Sequence, residues 1–304
     1  MMRKYTKAVA HRAFIALDRV GLHVLPKHFY TSIPDYSWLR EHEDVWWRPV
    51  SILGLEWNLD AQVGWLEEIL GEHLHEVAGF PGVDEVDPRL GAGLGPIETQ
   101  VLHCFVRTQR PPRILEIGGG FTLGVMARAS ALNAADGRRA SKIQIAEPFP
   151  SQALTELPGI ELIPVGAQEL PPALFEGLEA GDLLFIDSTH AVKTGSEVPR
   201  LYLELVPRLA PGVFVHVHDV NYPFLHHRSF TCDFFDWQEG TLVLALLIGN
   251  ARLRVLCCQS ALHYARQDDL RRLLPDYRPE VDDRGLRPRR PDGHFPSSLW
   301  MVTA

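Results

Sequence analysis

An α/β fold with a doubly wound, mostly parallel sheet is what this sequence predicts, and three observations carry the prediction. Short apolar runs recur along the chain, each followed by a stretch with helical spacing of its apolar residues. Several of these runs end in an acid or a histidine, as at Glu147, Asp187 and Asp219. The first, Arg113 to Ile117, is followed at once by Gly118, Gly119 and Gly120 and then by an apolar helical pattern through Leu123, Val125 and Met126. Strand, tight turn and helix in repeated succession mean a parallel sheet with crossover helices.

The elements follow in order. A helix is expected from about Thr6 to Val24, ended near Pro26; it starts basic and turns apolar, but His11, Arg12, Asp18 and Arg19 interrupt every candidate signal core, so it reads as amphipathic. The next stretch is dense in aromatics, including Tyr30, Tyr36, Trp38, Trp46, Trp47 and Trp57, and either covers a core or lines an acceptor pocket. Asp60 is a candidate N-cap for a helix whose apolar positions Val63, Leu66, Ile69, Leu70, Leu74 and Val77 keep a 3.6-residue period. Residues 79–96 are rich in Gly, Pro and Asp and read as a linker, which divides the chain into a helical, aromatic N-terminal cap (1–95) and a sheet domain (96–304).

In that second part a helix over Ile97–Thr108 leads into the strand before the glycines. Further strands are expected at Ile143–Ala146, Ile160–Val165, Leu183–Ile186 and Val213–Val217. The helix Glu197–Leu209 lies between the last two, and Pro211-Gly212 turns the chain. A helix over Gly240–Ile248, a strand over Arg252–Cys257, a helix over Ala261–Leu274 and a closing strand over Ser298–Val302 complete the set, with a charged loop at 282–293.

Composition bounds the function. The 304 residues can bury a sizeable core, and 46% hydrophobic and 22% charged residues are ordinary globular values. A net charge of −8 argues against a broad nucleic-acid face. The four cysteines, Cys104, Cys232, Cys257 and Cys258, have no CxxC spacing and read as reduced thiols, so a cytoplasmic location is expected. No run reaches the ~18 apolar residues of a membrane span.

The glycine turn suits a nucleotide-like ligand at a helix N-terminus, where unpaired N–H groups point outward. Leu123 stands where a dinucleotide fingerprint needs its third small residue, so NAD is disfavoured, and Glu116 would repel a pyrophosphate while accepting from an ammonium or hydroxyl. Glu147, at the end of the second strand, suits ribose hydroxyls, and Gln168, beyond the third, could meet an adenine edge. In open α/β sheets the strand ends converge, so Asp187 with His190, and His218 with Asp219, can share a pocket. Two carboxylates there can hold a divalent cation, and a histidine can take a proton from a hydroxyl.

The stretch RILEIGGGFTLGVMA resembles motif I of class I S-adenosylmethionine (SAM) methyltransferases, acid-x-Gly-x-Gly. GDLLFIDSTHAVKTGSEV, LVPRLAPGVFVHVHDV and the N-terminal FYTSIPD are similar to a bacterial branch of small-molecule methyltransferases that includes sugar and macrolide O-methyltransferases. The resemblance implies a Rossmann-like seven-stranded sheet with its last strand antiparallel. It implies SAM held by Glu116, Gly118, Gly120, Thr122, Glu147 and Gln168, and a small-molecule hydroxyl as acceptor. It carries the base onto His190 and a metal onto Asp187 and Asp219, with His218 where such enzymes have an acid. Mg²⁺ prefers oxygen, so His218 shifts the site toward Mn²⁺, Fe²⁺ or Zn²⁺, or leaves it without metal. Two other classes stay open: a non-heme iron oxygenase using His190, His218 or His216 with Asp187, and a non-catalytic SAM-fold binding protein. Self-association through the N-terminal helices is equally open.

Overall fold

The computed structural model describes residues 2–25, 27–77, 88–90, 93–228, 230–233, 236–279, 281–282, 285–286 and 296–304. Most of the 79–96 linker and of the charged 282–293 loop lie outside the described residues.

Helix α1 (Met2–Asp18) ends before the predicted Val24, with Gly21 at a left-handed φ of 83° in the turn that follows. Helix α2 (Leu59–Leu70) is capped by Asn58, whose side chain accepts from the Ala61 N–H at 3.0 Å. Asp60, the expected cap, lies one residue inside the helix and pairs with Arg266 instead. The inward face of α2, Leu66, Ile69 and Leu70, is buried in the main core.

Helix α3 (Pro96–Gln109) opens on a proline, whose missing N–H costs nothing at a helix start. It leads into β1 (Arg113–Ile117), followed by helix α4 (Phe121–Ala135), β2 (Lys142–Ala146), β3 (Ile160–Ile163) and β4 (Leu183–Ile186). The predicted Glu197–Leu209 helix is helical throughout but not uniform. Helix α5 (Glu197–Arg200) widens into a π-helical turn (Leu201–Leu205) and closes with a 3₁₀ turn (Val206–Arg208), where Pro207 has no N–H to continue the ladder. After β5 (Phe214–Val217) come α6 (Glu239–Leu247), β6 (Leu253–Cys258), α7 (Gln259–Ala265), α8 (Gln267–Leu273) and β7 (Leu299–Thr303). The single helix predicted over 261–274 is therefore two, broken at Arg266, where the sequence carries no helix breaker.

The seven strands form one sheet in the order β3-β2-β1-β4-β5-β7-β6. All pairings among β1 to β5 are parallel, and β7 runs antiparallel between β5 and β6. This is a Rossmann-like doubly wound sheet with its last strand reversed. Burial on both faces explains the unbroken apolar runs. Ile114, Leu183 and Phe185 face one core with α2, α3 and α4, while Leu115, Leu184 and Ile186 face a second with Leu201, Leu205, Val243 and Leu244. Among the described residues, no helix is long and apolar enough to cross a membrane.

One packing detail sets an acid limit. His263 is 2% exposed, its Nδ1 lies 2.9 Å from the Tyr277 hydroxyl, and burial pushes its pKa down to about 4. The folded value is below the unfolded ~6.5, so the contribution is complete above pH ~6.5 and is lost as pH falls toward 4, by up to about 3 kcal/mol. Urea unfolding midpoints are expected to fall over that window, and to fall less in His263→Gln. An unchanged pH slope in the variant would place the lability elsewhere.

Candidate active site

Three features stand out, of which the first two share Asp187. The first is a cavity of about 440 Å³ beyond β1, β2 and β4. Gly118, Gly120 and Thr122 line one side, Glu147 and Gln168 another, and Asp187, Ser188, Thr189 and Glu197 a third. Gly118 has φ 74°, and a Cβ on it would strike the Asp187 carbonyl oxygen; a Cβ on Gly119 would strike the Ile145 side chain. Only glycine lets β1 turn into α4 this close to β4 and leave the cavity open.

Glu116 is placed differently from the sequence reading. It does not line the cavity: its side chain is fully buried beneath the glycine turn, with Thr122 donating its hydroxyl to Oε1. Oε2 is buried without a protein partner, and burial pushes the carboxyl well above the usual carboxylate range. Glu147 lies at the wall, its Oε1 accepting from the Phe149 N–H at 2.7 Å. The turn that presents Gln168 is held from behind by Arg200, which donates to the carbonyls of Ala167 at 3.2 Å and Leu170 at 2.8 Å and to that of Gln168 itself.

The second feature is a charged cluster at the ends of β4 and β5. Asp187, on the cavity wall, brings Oδ1 to 3.2 Å from His190 Nε2 and 3.4 Å from His218 Nδ1. Asp219 Oδ2 lies 3.4 Å and 3.6 Å from the same two nitrogens. The nitrogen and carboxylate donors of Asp187, His190 and His218 all fall within 4.8 Å of one another. Behind His190, Glu239 Oε2 takes Nδ1 at 2.6 Å, and the Tyr202 hydroxyl donates to Glu239 Oε1 at 2.7 Å. Behind His218, Glu98 Oε1 lies 3.6 Å from Nε2 and is held by the Ser297 N–H at 2.9 Å and the Ser298 hydroxyl at 2.6 Å.

Electrostatics follow from this crowding. Burial opposes the charge on His190, but Asp187, Glu239 and Asp219 outweigh it and lift the pKa to about 10. His218 is likewise raised well above the usual range by Asp219, Asp187 and Glu98 against its burial. Asp187 is held well below the carboxylate range by the same two histidines, again against burial. His216, the neighbour on β5, belongs to the core: it stacks on Phe185 at 4.0 Å with burial pushing its pKa to about 3.

The third feature is a cavity of about 1000 Å³ on the β6 side. Trp57 stacks on Tyr222 at 4.2 Å and Trp47 on Phe224 at 4.1 Å, so the aromatic N-terminal stretch meets the loop after β5 along its wall. Glu41, Glu43, Asp44, Arg40 and Arg48 add charge around it.

Sequence reasoning thus located the strand-end residues but missed those behind and beside them. Glu98, Glu239, Tyr202 and Ser297 sit on other elements with no spacing to announce them, and Glu197 enters the cavity wall from the start of α5.

Residues 115–220 match the family model described as methyltransferase domain. An uncharacterized protein of Archaeoglobus fulgidus is 29% identical over 198 residues, covering 59% of this chain and 84% of its own. Among solved structures, the chain is similar to an O-methyltransferase from Bacillus cereus in complex with S-adenosylhomocysteine, at 14% identity, over 80% of this chain and 97% of that one, with a TM-score of 0.40. A methyltransferase from Podospora anserina with the same nucleoside bound is similar at 16% identity, over 84% and 99%, also with a TM-score of 0.40.

Proposed function

We infer that this chain, whose residues 115–220 match a methyltransferase domain, is a SAM-dependent methyltransferase that methylates a hydroxyl of a small-molecule acceptor at the Asp187–His190–His218–Asp219 cluster. The observation that carries this reading is the shared wall: Asp187 belongs both to the glycine-turned cavity and to the charged cluster beside it. A cofactor seated on one side can therefore present its methyl group to an acceptor held on the other.

In this reading the N–H groups at the start of α4 take the cofactor carboxylate, Glu147 takes the ribose hydroxyls, and Gln168 meets the adenine edge. SAM supplies the methyl group, so the residues have two tasks, alignment and removal of the acceptor proton. His190, held as an imidazolium, is a poor base in the metal-free protein, because Nδ1 and Nε2 both face carboxylates. Asp187, His190 and His218 would hold a divalent cation, which would lower the pKa of a coordinated hydroxyl so that its proton could pass to water without a free histidine. The aromatic cavity, walled by Trp47 and Trp57 and by Tyr222 and Phe224 of the loop that follows Asp219, suits a bulky acceptor with stackable faces. The oxygenase reading shares the same histidines but leaves the glycine turn, Glu147 and Gln168 without a task.

Calorimetric titration with SAM and with S-adenosylhomocysteine tests the reading, with micromolar binding expected. In Gly118→Ala the new Cβ meets the Asp187 carbonyl at a φ of 74°, so affinity is expected to fall at least about tenfold, or ~1.4 kcal/mol. Absence of binding to either nucleoside in the native protein would sink the methyltransferase reading.

A further inference from the structure

We propose that Asp187, His190 and His218 form a two-histidine, one-carboxylate metal centre that selects a nitrogen-preferring first-row dication such as Co²⁺, Fe²⁺ or Zn²⁺ over Mg²⁺, with His190 as a ligand positioned by Glu239. The inference rests on the reading of this cluster as the acceptor site, and it changes the part played by His190 from base to ligand.

Distances support it first. Donors bound at ~2.0–2.2 Å to one ion stand about 2.8–3.6 Å apart between octahedral and tetrahedral angles. Asp187 Oδ1 stands 3.2 and 3.4 Å from the two histidine nitrogens, inside that range, and the three donor atoms lie within 4.8 Å of one another.

Orientation supports it independently. Each imidazole turns one nitrogen toward Asp187 and Asp219 and the other toward a different buried acid. His190 Nδ1 meets Glu239, itself fixed by Tyr202; His218 Nε2 faces Ser297 Oγ at 3.4 Å and Glu98 at 3.6 Å. A carboxylate behind a ligating histidine fixes its tautomer and aims the free nitrogen at the metal. The backbone is committed to the same end. His190 (φ 57°) and Asp219 (φ 59°) are two of the three non-glycine residues with positive φ among those described. The His190 carbonyl accepts from the N–H groups of Gln238 at 2.9 Å and Glu239 at 3.1 Å, which pins the strained turn to the segment that carries its orienting acid.

Chemistry sets the selectivity. Mg²⁺ takes oxygen ligands in octahedral geometry and keeps its waters, whereas imidazole suits Zn²⁺, Fe²⁺, Co²⁺ and Ni²⁺. Two imidazole nitrogens in the donor set therefore decide which ion binds and not merely its affinity.

The test uses the full chain after chelator treatment, titrated with Co²⁺ and with Mg²⁺ by calorimetry and by visible absorption, with SAM titrated in parallel. One Co²⁺ per chain with d–d bands is expected, bound at least about 100-fold tighter than Mg²⁺. Glu239→Gln is expected to keep the stoichiometry, weaken Co²⁺ about 10- to 100-fold and shift the bands. His190→Ala is expected to lose the native spectrum, with Asp187→Asn as a second ligand variant should that protein fail to fold. Mg²⁺ binding as tightly as Co²⁺, no bound Co²⁺, or a native Co²⁺ spectrum in His190→Ala would each overturn the proposal. Loss of metal selectivity with SAM binding intact refutes this inference alone, whereas loss of SAM binding refutes the methyltransferase reading.

Discussion

Asp187→Ala is expected to lower methyl transfer at least about 1000-fold, roughly 4 kcal/mol of barrier, while SAM still binds. The side chain faces both the glycine-turned cavity and the two histidines, so its removal takes away the anion that compensates His190 and His218. The glycine turn, Glu147 and Gln168 are untouched, which is why cofactor affinity is expected to survive. Asp187→Asn separates charge from shape: if the carboxylate charge is what matters, it behaves like the alanine variant. Turnover of either variant within tenfold of the native protein would remove Asp187 from the chemistry.

The largest effect on stability is expected far from the site. The Glu76 carboxylate accepts from Arg107 Nε and Nη2, both at 2.8 Å, from His103 at 2.7 Å and from His73 at 2.9 Å. Arg107 also reaches Asp136 at 2.6 Å and Asn133 at 2.5 Å, tying the segment after α2 to α3 and α4. Arg107 and His103 are nearly buried, so Glu76→Ala leaves Arg107 with Asp136 as its remaining counter-charge and takes the shared acceptor from His103 and His73, and is expected to cost about 2–4 kcal/mol in chemical denaturation. Burial of Glu76 opposes its ionisation, yet the donors from Arg107, His103 and His73 hold its carboxyl well below the usual range. Because the folded value lies below the unfolded ~4.3, this contribution is present above pH ~4.3 and lost as pH drops further. A cost under about 1 kcal/mol would mean that water reaches the network freely.

The sheet was legible because parallel strands buried on both faces are uninterrupted apolar runs, as at Leu183–Ile186, and period alone finds them. The strand ends Glu147, Asp187, His218 and Asp219 were legible for a different reason, since the architecture itself brings them together. Position along the chain did not reveal depth. Glu116 reads like a wall residue, but alternation on β1 turns it to the α4 face, under the glycines and beside Thr122. Nor could spacing reveal partners: Glu98 and Ser297 are 199 residues apart and share a hydrogen bond only because β7 inserts between β5 and β6. The reversed strand itself came from resemblance, because periodicity carries no direction.

That inserted strand also sets an order of events. β5 and β6 do not pair directly; β7 bridges them, antiparallel to both. Ser297 and Ser298, at the mouth of β7, are what fix Glu98, and Ser297 also donates to Asp219 at 3.1 Å. A folding intermediate with its first five strands assembled would therefore own the nucleoside cavity but not a finished cluster. Such long-range closure is slow compared with local pairing, so cofactor affinity is expected to recover earlier than metal affinity when the protein refolds.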